Sequence, residues 1–155
     1  MRKQQETLIR PYVSISVFLR VGTPLFQLHI KNIGKTAACQ LNLSIDKDFY
    51  QLGEKSEERN LAKHIAFTQT IDSLPPEGEL IFLIANGLTL YTEEMQDLCP
   101  KVFTVSASYL VSSQTVTERT NIDLRPYIGT SFPQDYVAEE LKQITKAIKD
   151  GTKTN

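Results

Sequence analysis

Phe26-Gln27-Leu28-His29-Ile30-Lys31-Asn32-Ile33-Gly34-Lys35-Thr36-Ala37-Ala38-Cys39-Gln40-Leu41-Asn42-Leu43-Ser44-Ile45 holds two alternating runs separated by a turn. Phe26, Leu28 and Ile30 share one parity, and Gln27, His29 and Lys31 take the other. Side chains along a strand alternate between faces, so this run predicts a half-buried strand. Asn32-Ile33-Gly34-Lys35 is the turn, with Asn and Gly able to take positive φ. Cys39, Leu41, Leu43 and Ile45 then alternate with Gln40, Asn42 and Ser44. That predicts a further strand, with Cys39 as a buried thiol.

The same pattern extends in both directions. Upstream, Arg10-Pro11 ends any helical start, because the residue before proline is pushed to extended geometry. Val13, Ile15, Val17 and Leu19 then form an inward row with Phe18 on the outer face, and Gly22-Thr23-Pro24 is a turn. Downstream, residues 46–62 are polar and mixed in charge, and they read as a mobile loop. Ile65, Phe67 and Ile71 resume an alternating face, and Leu74-Pro75-Pro76-Glu77-Gly78 is a turn. Leu80 to Ala85 is apolar on both faces, which predicts a central strand or one covered by another element. Thr92-Glu93-Glu94-Met95 can form one helical turn. Phe103, Val105, Ala107, Tyr109 and Val111 make the longest inward row, Ser112-Ser113-Gln114 a hairpin turn, and Val116 to Leu124 a more polar outer strand.

About seven strands follow, with no crossover helix between them. The predicted fold is all-β: an immunoglobulin-like antiparallel β-sandwich over residues 10–128, after a polar lead-in at 1–9. A short C-terminal amphipathic helix is predicted over 133–150. Pro133 lies near its first turn, Asp135 suits its N-terminal dipole, and Gly151 is its expected stop. Val137, Leu141, Ile144 and Ile148 are spaced 4, 3, 4 on that helix. At 100° per residue they fall within about 60° of one another.

The strand, Asn-x-Gly turn and small-residue strand start at Phe26 to Ala38 resemble immunoglobulin-like domains of the CARDB and fibronectin-III kind. Ile71 to Glu79 resembles their Leu-Pro-x-Gly turn. Arg10-Pro11-Tyr12-Val13 and Ile122-Asp123-Leu124-Arg125-Pro126-Tyr127 resemble segments that open and close the sandwich in a group of uncharacterised bacterial proteins. The resemblance spans about residues 10–149 and implies a fold, with almost nothing about activity. Members of that group often carry a membrane helix before the sandwich, and the sequence departs from them in lacking one.

Composition narrows the function. The 155 residues carry 17 Lys+Arg against 18 Asp+Glu, a net charge of -1. Nucleic-acid binding across a broad basic surface is therefore not expected. The longest strongly apolar run is six residues, against the roughly 20 a membrane helix needs. Met1 to Glu6 is polar, and Leu8-Ile9 is too short for the apolar core of a secretion signal. The expected location is the cytoplasm, with reduced thiols, or membrane association if an N-terminal segment is missing.

No catalytic, metal or cofactor site is expected. His29 and His64 are 35 residues apart with no second His or Cys at ligand spacing, so both read as surface residues. Glu93-Glu94 and Glu139-Glu140 are adjacent pairs that diverge on any regular element. The chain has no tryptophan, no Gly-x-Ser-x-Gly elbow and no Gly-rich phosphate loop.

Two features remain as interaction candidates. One is the helix stripe of Val137, Leu141, Ile144 and Ile148, which packs on its own sandwich or forms a docking seam. The other is the pair of Arg-Pro-Tyr segments, which either mark two ordinary strand boundaries or bring Arg10, Tyr12, Arg125 and Tyr127 together at one end of the sandwich. The function expected is a non-enzymatic protein–protein interaction module that binds a protein partner or itself, as an accessory subunit of a bacterial or mobile-element complex, defence systems included. The alternatives are a membrane-proximal or envelope domain, or a ligand- or nucleic-acid-binding sandwich. A cluster of Lys31, Lys35, Lys142, Lys146 and Lys149 would favour the last.

Overall fold

Apolar residues at every second position commit Val13–Leu19, Leu25–Asn32 and Val102–Val111 most plainly to strands, and two sheets of seven strands in all bury their inward rows against each other. A computed structural model describes residues 9–131 and 136–153. One antiparallel sheet holds β1 (Val13–Leu19), β2 (Leu25–Asn32) and β5 (Glu79–Asn86), in the order β1-β2-β5. The other holds β3 (Ala38–Ile45), β4 (Ile71–Leu74), β6 (Val102–Val111) and β7 (Gln114–Asp123), in the order β4-β3-β6-β7. The connections β2–β3, β4–β5 and β5–β6 pass from one sheet to the other, so the chain closes a sandwich around one core. The inward rows of β2 and β6 are fully buried: Phe26, Leu28 and Ile30 face Phe103, Val105, Ala107 and Tyr109. Burying each such side chain contributes about 1.5–3 kcal/mol before conformational entropy is counted.

Ser112 and Ser113 both take positive φ, which matches the two-residue turn closing the β6–β7 hairpin from Val111↔Gln114 to Val102↔Asp123. β7 is an edge strand, in keeping with its polar sequence. The apolar β5 is an edge strand too, so it is not central. It is covered instead: Gln51 donates to the Leu83 carbonyl, and Phe67 and His64 lie against Phe82.

Four expectations require correction. Cys39 is exposed, because Gln40 has φ 52 and the β3–β6 register shifts between Cys39 and Asn42. This bulge inserts one residue, so Ala38 takes the inward place and parity upstream of Gln40 flips. Residues 46–62 are exposed at 46–48 and at the charged tip 54–59, and the rest of the segment is anchored. On either side Phe49 and Leu61 are fully buried, and the buried Asn60 accepts from Phe49 N–H and Ala62 N–H and donates to Asp48. Ile65–Thr68 forms a short helix, α1, so Ile65 is exposed while Phe67 is buried, and strand structure resumes only at Ile71. The C-terminal helix α2 (Tyr136–Lys153) runs through Gly151, which keeps a negative φ. Its expected start at Pro133, and residues 1–8 of the expected lead-in, lie outside the described residues.

Gly34 serves a purpose other than positive φ. A Cβ there would lie 2.5 Å from the Tyr12 nitrogen and 2.7 Å from the Pro11 carbonyl carbon, and closer still to the Arg10 carbonyl oxygen. The neighbouring Asn32 is fully buried and fully used. Its Oδ1 accepts from Tyr12 N–H (3.2 Å) and Gly34 N–H (3.0 Å), and its Nδ2 donates to the carbonyls of Thr36 (2.9 Å) and Leu74 (3.0 Å). The Asn-x-Gly sequence therefore ties three chain segments, the start of β1, its own turn and the end of β4, into one corner.

Candidate functional site

Helix α2 is built from strong helix formers with apolar residues at 4, 3, 4 spacing, and it is 18 residues long, about 27 Å. The structure leaves its apolar stripe in solvent. Val137 is 69% exposed, Leu141 59%, Ile144 55% and Ile148 63%. Among its residues with described side chains, all are exposed except the half-buried Ala138. The expected alternative, a stripe packed down on the sandwich, is not what the fold shows. Thr145 and Thr152 flank the stripe and donate their hydroxyls back to the carbonyls of Leu141 and Ile148. Those flanks consequently present methyl groups with their polar demand already met.

The two Arg-Pro-Tyr segments do not meet. Val13 pairs with Asn32 at one end of β1 and Leu19 with Phe26 at the other, a separation of about 20 Å. Arg10 and Tyr12 sit at the first end, where the Arg10 guanidinium lies 5.7 Å from the Tyr12 ring and 3.4 Å from Glu118. Glu118 also accepts from the Tyr109 hydroxyl (2.8 Å), which itself accepts from Val13 N–H (3.3 Å). This chain of bonds ties β1 to β6 and β7 where the two sheets come together. Burial, aided by Glu118, pushes the Tyr109 hydroxyl up to about 12. Tyr127 belongs to the opposite end, packed edge-on against Phe26 at 5.1 Å. Arg125 is turned back on Asp123 through two side-chain bonds of 2.9 and 2.8 Å, which hold the Asp123 carboxyl down to about 2. Similar sequence at the two ends of the chain carries no information about spatial neighbourhood, and β1 and β7 place their ends by pairing.

That opposite end carries an apolar patch that sequence reading missed. Leu88, 73% exposed, lines a shallow pocket with Leu19, Pro24, Phe26 and Tyr127, and Val21 and Ile128, 57% and 60% exposed, lie in the turns that follow Leu19 and Tyr127. All three lie in turns, where alternation carries no signal, so nothing in the sequence marked them.

His29 is held by Glu79 (2.7 Å) and Gln27 (3.2 Å) beneath the exposed Phe18. His64 hydrogen-bonds Gln51 and stacks on Phe82. Cys39 and Cys99 are both free thiols, and burial pushes Cys99 up. Lys31 is paired with Glu77 at 3.1 Å. Among the described residues no group of His, Cys, Asp and Glu could hold a metal ion, and no helix is long and apolar enough to cross a membrane.

Residues 1–128 match the family model described as a domain of unknown function, DUF8453, so the chain belongs to that family. The matched region ends before α2 begins. Comparison with curated proteins finds no match.

Proposed function

We propose that this member of the DUF8453 family is a non-enzymatic protein–protein interaction module that docks through the apolar stripe of α2. One observation carries the reading: Val137, Leu141, Ile144 and Ile148 are each more than half exposed, while the inward rows of the sandwich are buried. An apolar stripe on a solvated helix gains free energy only when something covers it, at about 25 cal/mol per Å² of apolar surface removed from water. The sandwich acts in this reading as a rigid base that presents the helix. The resemblance to bacterial sandwich proteins supports, by analogy alone, placing the chain as an accessory subunit of a bacterial or mobile-element complex in the cytoplasm.

The test compares the full chain with a Leu141→Lys, Ile144→Lys double variant, both tagged and recovered from the native host. Circular dichroism and the thermal midpoint should match, because neither residue packs in the core. Proteins that co-purify with the wild type in stoichiometric amounts should be lost with the variant. Equal recovery of the same proteins by both chains would sink the proposal.

A further inference from the structure

We infer that the occupant of the α2 stripe is the same stripe of a second copy, paired antiparallel about a two-fold axis. This rests on the docking reading above and names the partner. The stripe is symmetric about the point between Lys142 and Gln143, so antiparallel pairing sets Leu141 opposite Ile144 of the second copy and Val137 opposite Ile148. Each contact occurs twice, giving four apolar layers, the self-complementary pattern that a two-fold interface requires. The flanks match as well. Ala138, Thr145 and Ala147 border the stripe with small side chains, the threonine hydroxyl is bonded within its own helix, and two such helices can approach closely.

The same residues count against a parallel pair. In heptad terms Leu141 and Ile148 occupy a, and Val137 and Ile144 occupy d. Parallel dimers favour β-branched residues at a and Leu at d, the reverse of the choice at Leu141, Val137 and Ile144. Charge agrees. Glu139 and Glu140 lie in the first turns, and in the last turns Lys146 and Lys149 outnumber Asp150. Antiparallel pairing sets the acidic end of each helix beside the basic end of its partner and opposes the helix dipoles, whereas parallel pairing stacks like charge on like. Two helices of this length bury less than the roughly 800 Å² per partner of a standard interface, so the dimer is weak, with a dissociation constant on the order of 100 μM.

Sedimentation equilibrium of the full chain from about 10 to about 500 μM should show a monomer–dimer equilibrium. Ile144→Lys should weaken it by more than about tenfold, and Gln143→Ala, on the far side of the helix, should leave it unchanged. Orientation is read by disulfide trapping in a Cys39→Ser background, which removes the exposed native thiol. Chains carrying Val137→Cys should cross-link to chains carrying Ile148→Cys, and neither should cross-link to itself, since like positions would stand about 16 Å apart. Self-cross-linking of Val137→Cys alone would overturn the antiparallel pair. A monomer throughout the range overturns self-pairing. If that monomer still recovers host proteins through Leu141 and Ile144, docking stands with a different occupant, and if it recovers none, both readings fall.

Discussion

Strand β6 and helix α2 carry the same kind of information and meet opposite fates. β6 places Phe103, Val105, Ala107 and Tyr109 on one face at period two, and all four are buried. α2 places Val137, Leu141, Ile144 and Ile148 on one face at helical period, and all four are exposed. A periodic apolar face states that an element will be covered and does not state by what. β6 is covered because β3 and β7 pair with it in its own sheet and the β1-β2-β5 sheet lies across the core. α2 begins beyond the last strand, and none of its described side chains enters the core.

The largest expected effect tests that contrast directly. Phe103 is fully buried, with its ring 5.2 Å from that of Phe49. Phe103→Ala should cost about 3–5 kcal/mol of unfolding free energy, since it removes a ring from a site that cannot collapse. Ile144→Ala, measured in dilute protein, should change stability by less than about 0.5 kcal/mol. Urea denaturation of both variants decides the matter. A cost above about 2 kcal/mol at Ile144 would mean that the stripe is packed on the sandwich after all.

The next effect concerns what the sequence could reveal. Rows with uninterrupted parity were legible: β1, β2 and β6 run where alternation puts them, and their inward residues form the core. Parity failed at Cys39 because one residue, Gln40, turns to positive φ, and a bulge has no compositional mark. It failed again at Ile65, where four residues form a helical turn too short to show a period. The candidate site was half legible. The stripe could be drawn from spacing, but its exposure depends on what the sandwich leaves uncovered, and only strand pairing decides that the Arg-Pro-Tyr segments are separate strand boundaries and not one cluster. Gly34 was legible as a special position, though for a different reason. Its missing Cβ lets the Arg10–Tyr12 backbone pass against it. Gly34→Ala should therefore cost about 2–3 kcal/mol, because all three obstructing atoms are backbone and cannot rotate away. A cost under about 1 kcal/mol, the range of a simple glycine-to-alanine entropy change, would show that the corner yields.

The smallest effect probes how β1 is fastened, and it varies with pH. Tyr109→Phe removes the hydroxyl that accepts from Val13 N–H and donates to Glu118. A buried donor left without its partner should cost about 1–2 kcal/mol at neutral pH. The folded protein holds the Tyr109 proton up to about 12, against about 10 for an unfolded tyrosine. The folded state thus binds the proton more tightly, and the stabilisation it provides is complete below pH ~10 and is lost as pH rises toward ~12. Across that window the wild type should lose up to about 2–3 kcal/mol more than Tyr109→Phe, since the other five tyrosines are common to both. Denaturation curves of the two proteins at neutral pH and at a series of pH values through that window will show whether the gap between them narrows. A constant gap would mean that Tyr109 titrates as a solvated phenol, and the bond to Glu118 would then do little to fasten β1 to the second sheet. A gap that closes would show that this seam loosens as the Tyr109 proton is lost.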